Sequence, residues 1–295
     1  MIIYHADDYG LSINASKNIL TLIEKGALTS FSIIPNMRCF TECMDLLAPI
    51  LESKGNSLTM ALHINLFEGH CCADPEDVPL LVNPDGMFHR EWWWLFRHSY
   101  LRGRKALRKQ LAIEIAAQIQ KFLTVMPADY TLCLDSHQHS HMIPVVWDAL
   151  KDVIHQNQYQ LQYVRISREP LMPYLRCPYL YRTYLRTNIR SSLIVRFCNI
   201  HVKFHPILKH GGKYYVWGLI MGDAMDFMRI QKLQPLFKKY GQTPNTLELL
   251  FRPGLLLSSE VTEEYHNRKL FNEETSPCRE TDYRSLLRLS NLLNH

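Results

Sequence analysis

The chain has 295 residues, of which 47% are hydrophobic and 21% charged, and its formal net charge is +5. This is the composition of a globular protein, and no apolar run approaches the roughly 20 residues that cross a bilayer. We therefore exclude a membrane-spanning, disordered or collagen-like chain. The mild positive charge does not by itself indicate nucleic-acid binding. Histidine is the unusual residue, with 14 copies.

Strand and helix patterns alternate along the chain. Apolar strands are predicted at residues 2–5, 29–35, 58–66, 130–134, 161–166 and 247–251, with a strand or turn at 214–222. Helices are predicted at 14–25, 43–51, 104–123, 145–154 and 227–240, and the tail has the pattern of a surface helix. This alternation is typical of an α/β protein with a parallel sheet. Polar clusters follow several of the strands, where a βα barrel builds its active site.

Two segments interrupt this alternation, and we predict a single domain over 1–295 with insertions at about 70–103 and 170–213. The first holds the Trp92-Trp93-Trp94 run, which is either a platform for sugar rings or a hydrophobic anchor for the insertion, and we favour the anchor. The second includes the stretch 174–196, rich in tyrosine and arginine. It is either a solvated surface, which we favour, or a face for an anionic lipid, glycan or nucleic acid.

The N-terminal segment and the cysteines both favour the cytoplasm. Residues 1–10 lack the basic region, apolar stretch and small-residue cleavage site of a signal peptide. Eight cysteines are too few for a disulfide scaffold in a chain of this length, and no second pair completes a zinc-site spacing. We therefore expect reduced thiols and a cytoplasmic protein.

The first polar cluster is the pair Asp7 and Asp8, at the end of the first predicted strand. Two adjacent carboxylates repel each other unless a cation or a proton relieves the repulsion. The alternative is a loop pair that caps the helix beginning near residues 12–14. His63 follows another strand, and alone it would more often be a structural histidine.

The run His137, His139 and His141 is a stronger signal. In an extended segment alternate residues share a face, so the three rings would point the same way. Imidazole suits zinc and similar ions, whereas carboxylate suits harder ones. Asp135 could orient one of the imidazoles. With the Asp pair and His63, this pattern favours a divalent ion with three protein ligands and open positions, an arrangement typical of catalysis.

Four motifs, in order, resemble those of the YdjC-like carbohydrate deacetylases. They are HADDYGL at 5–11, LHINLFEG at 62–69, LDSHQHSHM at 134–142 and VRISRE at 164–169. The similarity covers about residues 1–170 and is looser towards 255. Residues 80–125 and 217–222 are most similar to the branch that contains chitooligosaccharide and hopanoid-associated deacetylases.

The resemblance implies a distorted (β/α) TIM-like barrel, similar to polysaccharide deacetylases, that removes acetyl groups from N-acetylated sugars. It implies one divalent metal ion, Mg²⁺ or Zn²⁺, with Asp8, His63 and His137 as the metal ligands. The implied substrate is an N-acetylated sugar, oligosaccharide or glycolipid. The resemblance implies no nucleic-acid partner, and peripheral membrane contact and a homodimer stay open.

The resemblance also assigns catalytic and substrate-binding residues. Asp7 would deprotonate the metal-bound water, and His139 or His141 would protonate the leaving amine. Arg165 would contact the sugar or orient the Asp pair. Arg252 and Asn65 complete the expected substrate-binding residues.

Arg252-Pro253 stands where the family often has His-Pro. Arginine stays protonated and is a poor general acid. Either another residue supplies the proton, or Arg252 acts electrostatically, or the chemistry is weakened. Because of this departure, one alternative to a deacetylase is a metal- and carbohydrate-binding protein of the same fold with little turnover. A phosphate-ester hydrolase ranks lower because the carboxylate-rich two-metal pattern is missing.

Overall fold

A computed structural model describes residues 1–54, 57–176, 188–208, 212–222 and 225–293. Its seven strands form one sheet in which all neighbours are parallel, in the order β5-β4-β3-β2-β1-β7-β6. The strands are β1 (Ile2–Tyr9), β2 (Ser30–Ile33), β3 (Thr59–Ile64), β4 (Leu132–Ser136), β5 (Leu161–Val164), β6 (Tyr214–Trp217) and β7 (Thr246–Phe251). The sheet curls into a distorted TIM-like barrel, which confirms the predicted α/β fold class.

Of the described helices, α1 to α8 fall between the strands, as expected for parallel connections, and α9 and α10 follow β7. They are α1 (Ile13–Glu24), α2 (Phe40–Lys54), α3 (Trp92–His98), α4 (Arg104–Leu123), α5 (Pro144–Asn157), α6 (Met172–Arg176), α7 (Asn188–Phe204), α8 (Phe227–Tyr240), α9 (Arg268–Glu274) and α10 (Cys278–Leu293). The bounds predicted for α4 and α8 are confirmed exactly. Within the described residues, no helix is long and apolar enough to cross a membrane.

The two faces of the sheet differ in chemistry because successive side chains of a strand point to opposite sides. The outer face is apolar and packs on the helices through Ala6, Phe31, Ile33, Leu62, Ile64, Leu134, Leu249 and Phe251. The inner face carries buried polar side chains, namely His5, Asp7, Ser30, Ser32, His63, Asp135, Tyr214 and Glu248. The polar network is thus enclosed by the curled sheet, and the apolar core lies outside it.

The edge strands β5 and β6 approach each other across the open side of the barrel. The backbone N–H of Val216 donates to the carbonyl of Arg168, just after β5, at 3.0 Å. Tyr163 and Tyr214 stack across the same gap, with ring centroids 6.1 Å apart. These contacts bring the segment after β5 close to the other strand ends.

The first interruption, 70–103, contains α3 and is tied to α4. Glu114, on the buried stripe of α4, accepts the backbone N–H groups of Cys72 and Ala73 at 2.9–3.1 Å. The loop therefore has a fixed path although it lacks a periodic pattern.

The prediction of an irregular segment at 170–213 is wrong over α7, which is a helix of 17 residues. Residues 177–187 and 209–211 lie outside the described residues, and so does much of the tyrosine- and arginine-rich stretch. The tail forms a helix, α10, whose own Leu286 and Leu289 are buried in the main hydrophobic core. The assignment of one domain over 1–295 stays a prediction.

Candidate metal centre

The end of β1 places both carboxylates of the Asp pair in one pocket. Alternation alone would send Asp7 and Asp8 to opposite faces of the sheet. Asp8 instead has a positive φ of 72°, and the register between β1 and β2 shifts between Ala6 and Tyr9. This bulge turns Asp8 back toward the inner face. The alternative role, capping α1, is wrong, since the hydroxyl of Ser12 accepts the N–H of Ala15 at 3.2 Å.

His63 is held between two carboxylates. Its register partner on β4 is Asp135, whose Oδ1 lies 2.6 Å from Nδ1 of His63. The opposite ring nitrogen, Nε2, lies 3.4 Å from Oδ1 of Asp8. A carboxylate on one ring nitrogen fixes the ring and leaves the other nitrogen for a cation. The expectation that Asp135 orients an imidazole is confirmed for His63.

The three histidines after β4 do not share a face, so the extended geometry expected for them is wrong. Residues 137–142 form a kinked 3₁₀ turn, in which Gln138 and His139 both have positive φ values of 51° and 55°. His137 points to Asp8, with Nδ1 3.0 Å from Oδ1. His139 contacts the hydroxyl of Ser167 with its Nδ1 at 3.0 Å and lines the pocket.

His141 points away from the pocket and is fully buried. Its Nδ1 lies 2.5 Å from the hydroxyl of Ser136, and its Nε2 lies 2.8 Å from the carbonyl oxygen of Arg165. Both ring nitrogens are therefore used in fixing the turn. This geometry argues against the expected role of His141 as a proton donor and favours His139.

The residues that the motifs suggested as metal ligands come together in space. Asp8, His63 and His137 each offer one ligand atom, and these atoms all lie within 4.8 Å of one another. All three side chains are buried, and Nε2 of His137 has no hydrogen-bond partner among the described residues. One carboxylate and two imidazoles are a donor set that suits zinc and similar divalent ions. The residues present therefore fit a divalent ion.

Arg165 lies behind the Asp pair rather than in the pocket. Its guanidinium forks onto Asp7, with Nη2 2.8 Å from Oδ1 and Nη1 3.2 Å from Oδ2. It also pairs with Asp135 at 2.7 Å and with Glu248 at 2.8 Å, and it is fully buried. These contacts fit the second of the two roles expected for Arg165, that of orienting the Asp pair, and its contact with a sugar stays a prediction.

Asn65 also lies outside the pocket. Its Oδ1 accepts the N–H groups of Phe67 and Glu68, and its Nδ2 donates to the carbonyl oxygen of Glu68 at 3.0 Å. The side chain thus closes the turn that follows β3, a common use of asparagine. The role of Asn65 in substrate binding stays a prediction, and its contacts within the chain are those of a turn-closing residue.

The charges around the site set its protonation. Burial opposes ionisation of Asp7, but Arg165, His63 and His5 together outweigh it and hold the pKa of Asp7 well below its usual range. Burial likewise opposes ionisation of Asp8, but Arg279, His137 and His63 together outweigh it, so the pKa of Asp8 is also well below its usual range. Burial would lower the pKa of His63, yet Asp7 and Asp135 raise it to about 10. With no ion bound, His63 therefore carries a proton.

His139 differs from His63 in its electrostatic surroundings. Burial and the positive charge of Arg165 hold its pKa well below the usual 6.5. Its ring is therefore neutral at neutral pH and can accept a proton.

Three residues near the site were missed from the sequence. Nη2 of Arg279, on α10, lies 2.7 Å from Oδ2 of Asp8. Glu68 and Glu274 are buried beside His137, and a ligand atom from each of the three lies within 4.8 Å of the others. Burial and the neighbouring Glu274 raise the pKa of Glu68 to about 11. Glu68 lies in the second motif, whereas nothing in the tail pattern marked the other two.

The pocket above these groups is polar at its base and apolar at its wall. Arg252, at the end of β7, lines it together with the ligand triad, Asp7 and His139. Two tryptophans of the Trp run, Trp92 and Trp93, also line it. Trp94 instead stacks on His98, with ring centroids 3.8 Å apart. Trp92 and Trp93 thus lie where a sugar ring could stack and Trp94 packs within the insertion, and both interpretations of the run stay predictions.

Comparison with known proteins gives one family. A family model described as YdjC-like protein matches residues 1–289. A carbohydrate deacetylase of Thermoanaerobacter pseudethanolicus is 29% identical over 172 residues, which cover 58% of this chain and 63% of that protein. A carbohydrate deacetylase of Clostridium beijerinckii is 21% identical over 244 residues, covering 81% of this chain and 91% of that protein.

The chain spans 63% and 62% of the length of the Thermoanaerobacter pseudethanolicus and Geobacillus stearothermophilus relatives, less than two thirds of each. A solved structure from Enterococcus faecalis V583, of a protein named for a proposed role in cellobiose-phosphate cleavage, superposes with a TM-score of 0.60 at 15% identity. The superposition covers 97% of this chain and 94% of that one, and it shows the shared fold.

Proposed function

The chain belongs to the YdjC-like protein family, and from this membership we propose that it is a metal-dependent hydrolase that removes the acetyl group from an N-acetylated sugar. The observation that carries the proposal is the convergence of Asp8, His63 and His137 at the base of a pocket, with Asp7 beside them. A mixed carboxylate and imidazole set of three leaves coordination positions for water and substrate.

The ion would be held by Asp8, His63 and His137. When bound, a divalent ion polarises a carbonyl oxygen and lowers the pKa of water. Asp135 orients His63, and Arg279 holds the second oxygen of Asp8. The remaining chemistry, proton transfer and charge stabilisation, falls to residues of the chain.

Asp7 is the proposed base. It lines the pocket, and Arg165 keeps it ionised and fixes its plane through two N–H groups. The hydroxyl of Ser32 donates a further hydrogen bond to Oδ1 at 3.1 Å. An ionised, oriented carboxylate can accept a proton from water in the pocket.

The leaving amine needs a proton, and His139 is the proposed donor. Its ring lines the pocket and is neutral, so it would first receive the proton that Asp7 takes from water and then pass that proton to the amine. Arg252 stays charged, so its proposed role is to attract the oxygen on which negative charge develops, or a sugar hydroxyl. These two residues together take the place of the His-Pro motif.

Acetate release tests the proposal. Purified protein loaded with zinc, cobalt or magnesium is incubated with N-acetylglucosamine oligosaccharides, the substrates suggested by the branch that the sequence resembles. We expect acetate from the loaded wild type and a fall of about 10²- to 10⁴-fold in Asp7→Asn, because the base is lost. Asp7→Asn should still bind the ion, whereas His137→Asn should not.

Asp152→Asn is the matched control. Asp152 pairs with Arg108 outside the pocket, so its change should leave acetate release within about twofold of wild type. Absence of acetate release from every acetylated sugar, with the ion and the sugar still bound, would favour the alternative of a binding protein with little turnover. Full activity of Asp7→Asn would remove Asp7 as the base.

A further inference from the structure

The outward face of α7 is apolar where a surface helix is normally polar. Leu193, Phe197, Ile200 and Phe204 are 48%, 54%, 54% and 73% exposed. Their spacing of four, three and four residues places them in one line along the helix. We call these four residues the α7 stripe.

The opposite face of the same helix is also apolar, and it is buried. Val195, Cys198 and Val202 face the protein interior and belong to the main hydrophobic core. One apolar face thus anchors α7 to the protein. The α7 stripe is a second apolar face, which is exposed and therefore costs free energy in water.

The α7 stripe continues across α3 to the mouth of the pocket. The rings of Phe197 and Phe96 are 6.4 Å apart, and Phe96 in turn contacts Trp93 at 5.7 Å. Trp93 is 44% exposed and lines the pocket, as does Val195 of α7. Tyr100, just after α3, extends the exposed apolar surface beyond Phe96. A partner that binds to the α7 stripe and the exposed side chains of α3 would therefore lie beside the pocket entrance.

The charges around this surface are positive. Residues 188–204 contain no aspartate or glutamate, and Arg196 and Lys203 are exposed beside the α7 stripe. Arg97 and Arg102 are exposed on the α3 side, and none of these four cations forms an ion pair with a described residue. A second copy of the chain would bring like charges together and cover the pocket mouth. An anionic bilayer would attract the cations and accept the apolar side chains.

We propose that the α7 stripe and the exposed end of α3 dock on an anionic lipid bilayer, with the pocket mouth at the membrane surface. The apolar side chains enter the boundary between headgroups and acyl chains, and the four cations pair with lipid phosphates. Docking needs neither the ion nor a sugar. Its test is therefore separate from that of the proposed deacetylase activity, and either can fail alone.

Sedimentation with vesicles tests the docking. The full chain is mixed with vesicles of phosphatidylcholine and phosphatidylglycerol, and with vesicles of phosphatidylcholine alone. We expect binding to the anionic vesicles that weakens as salt is raised. The double variant Phe197→Ser/Ile200→Ser should partition at least about tenfold more weakly, because it removes two apolar side chains from the contact.

The matched control is Met228→Ser/Leu257→Ser, which removes two side chains that are 55% and 43% exposed outside α3 and α7. It should bind as wild type does, and thermal unfolding should show that both double variants are folded. Brominated phospholipid should quench tryptophan fluorescence in wild type and less in Trp93→Phe. Wild type that stays in solution with anionic vesicles would overturn the proposal. So would equal binding by Phe197→Ser/Ile200→Ser, or a dimer that depends on the α7 stripe without vesicle binding.

Discussion

Arg165 shows how one buried cation can fix the orientation of a carboxylate, here the proposed base Asp7, without itself lining the pocket. Its fork holds both oxygens of Asp7, and two further carboxylates, Asp135 and Glu248, hold the guanidinium in turn. Tyr214 donates its hydroxyl to the other oxygen of Glu248. The plane of Asp7 is thereby fixed through contacts with strands on both sides of β1. Planar, bidentate contact of this kind is specific to arginine.

Arg165→Lys keeps the charge and removes the fork. We expect kcat for acetate release to fall about 100-fold with KM little changed, because Asp7 loses its fixed orientation. Arg165 lowers the pKa of Asp7, so a weaker contact raises that pKa and moves the acid limb of the pH–rate profile to higher pH. Steady-state kinetics between pH 4 and pH 8 measure both effects.

The matched control for Arg165→Lys is Arg108→Lys. Arg108 also forks onto a carboxylate, with both contacts to Asp152 at 2.6 Å, but it lies outside the pocket and is partly exposed. Arg108→Lys should therefore change neither kcat nor the pH–rate profile. An unshifted acid limb in Arg165→Lys would show that Arg165 has only a structural role.

At the scale of elements, the turn between β1 and α1 makes the site possible. Asp8 has a positive φ, and Gly10 follows with a φ of 87°. A Cβ added at Gly10 would lie 2.7 Å from the carbonyl oxygen of Ile34, which follows β2. Gly10 therefore lets two chain segments approach, and this close contact holds the bulge that directs Asp8 inward.

Gly10→Ala should destabilise the protein and weaken its metal site together. A left-handed φ costs an alanine roughly 1–2 kcal/mol, and the clash with Ile34 adds to this cost. Gly26→Ala measures the cost of the left-handed φ without a clash, because Gly26 has a φ of 70° and no atom lies within 4 Å of an added Cβ. Urea denaturation should show the larger loss for Gly10→Ala, and zinc titration should show weaker affinity in that variant alone. Equal losses in both variants, with unchanged zinc affinity, would contradict this role.

The elements with a clear apolar period could be predicted, and those that depend on distant contacts could not. The stripe of α4 is regular, so its bounds follow from the sequence. Helix α7 is apolar on two faces, which removes the contrast that reveals an amphipathic helix. The run from His137 to His141 alternates as a strand would, but the positive φ values of Gln138 and His139 turn it.

In the candidate site too, some residues could be predicted from the sequence and others depend on contacts between distant parts of the chain. The proposed ligands Asp8, His63 and His137 are implied by the resemblance of their motifs, and they meet because each lies in or directly after a strand of one parallel sheet. Arg279 and Glu274 come from the tail, and only the packing of α9 and α10 brings them beside Asp8 and His137. Asn65 and Arg165 lie within or beside the same motifs but point into a turn and into the barrel. Their orientation depends on local backbone geometry that residue types do not reveal.

For the whole molecule, the enclosed charges favour a bound cation. Asp7, Asp8, Asp135 and Glu248 are buried carboxylates, and two buried guanidinium groups, Arg165 and Arg279, pair with them. Two negative charges remain within this group, the proton on His63 offsets only one of them in the metal-free protein, and buried charge without compensation is costly. A divalent ion supplies the missing charge at the point where these strands meet, so its removal should weaken the whole sheet.

Removing the ion should therefore lower the melting temperature, and by more at high pH. The pKa of His63 is raised from 6.5 to about 10 in the metal-free protein, so the stabilisation from its proton is complete below about pH 6.5 and is lost as pH rises toward 10. A bound ion replaces that proton. We expect excess zinc to raise the melting temperature by roughly 5–10 °C over protein treated with a chelator at pH 7, and by more at pH 9. The control is His201→Asn, which changes a histidine paired with Asp148 outside the site. In this variant the zinc-dependent rise in melting temperature should still be larger at pH 9 than at pH 7, whereas in His63→Asn this increase with pH should be absent. Scanning calorimetry measures the melting temperature with zinc and with a chelator. If the difference between these two temperatures stayed constant or became smaller from pH 7 to pH 9, the assignment of His63 as a ligand would be contradicted.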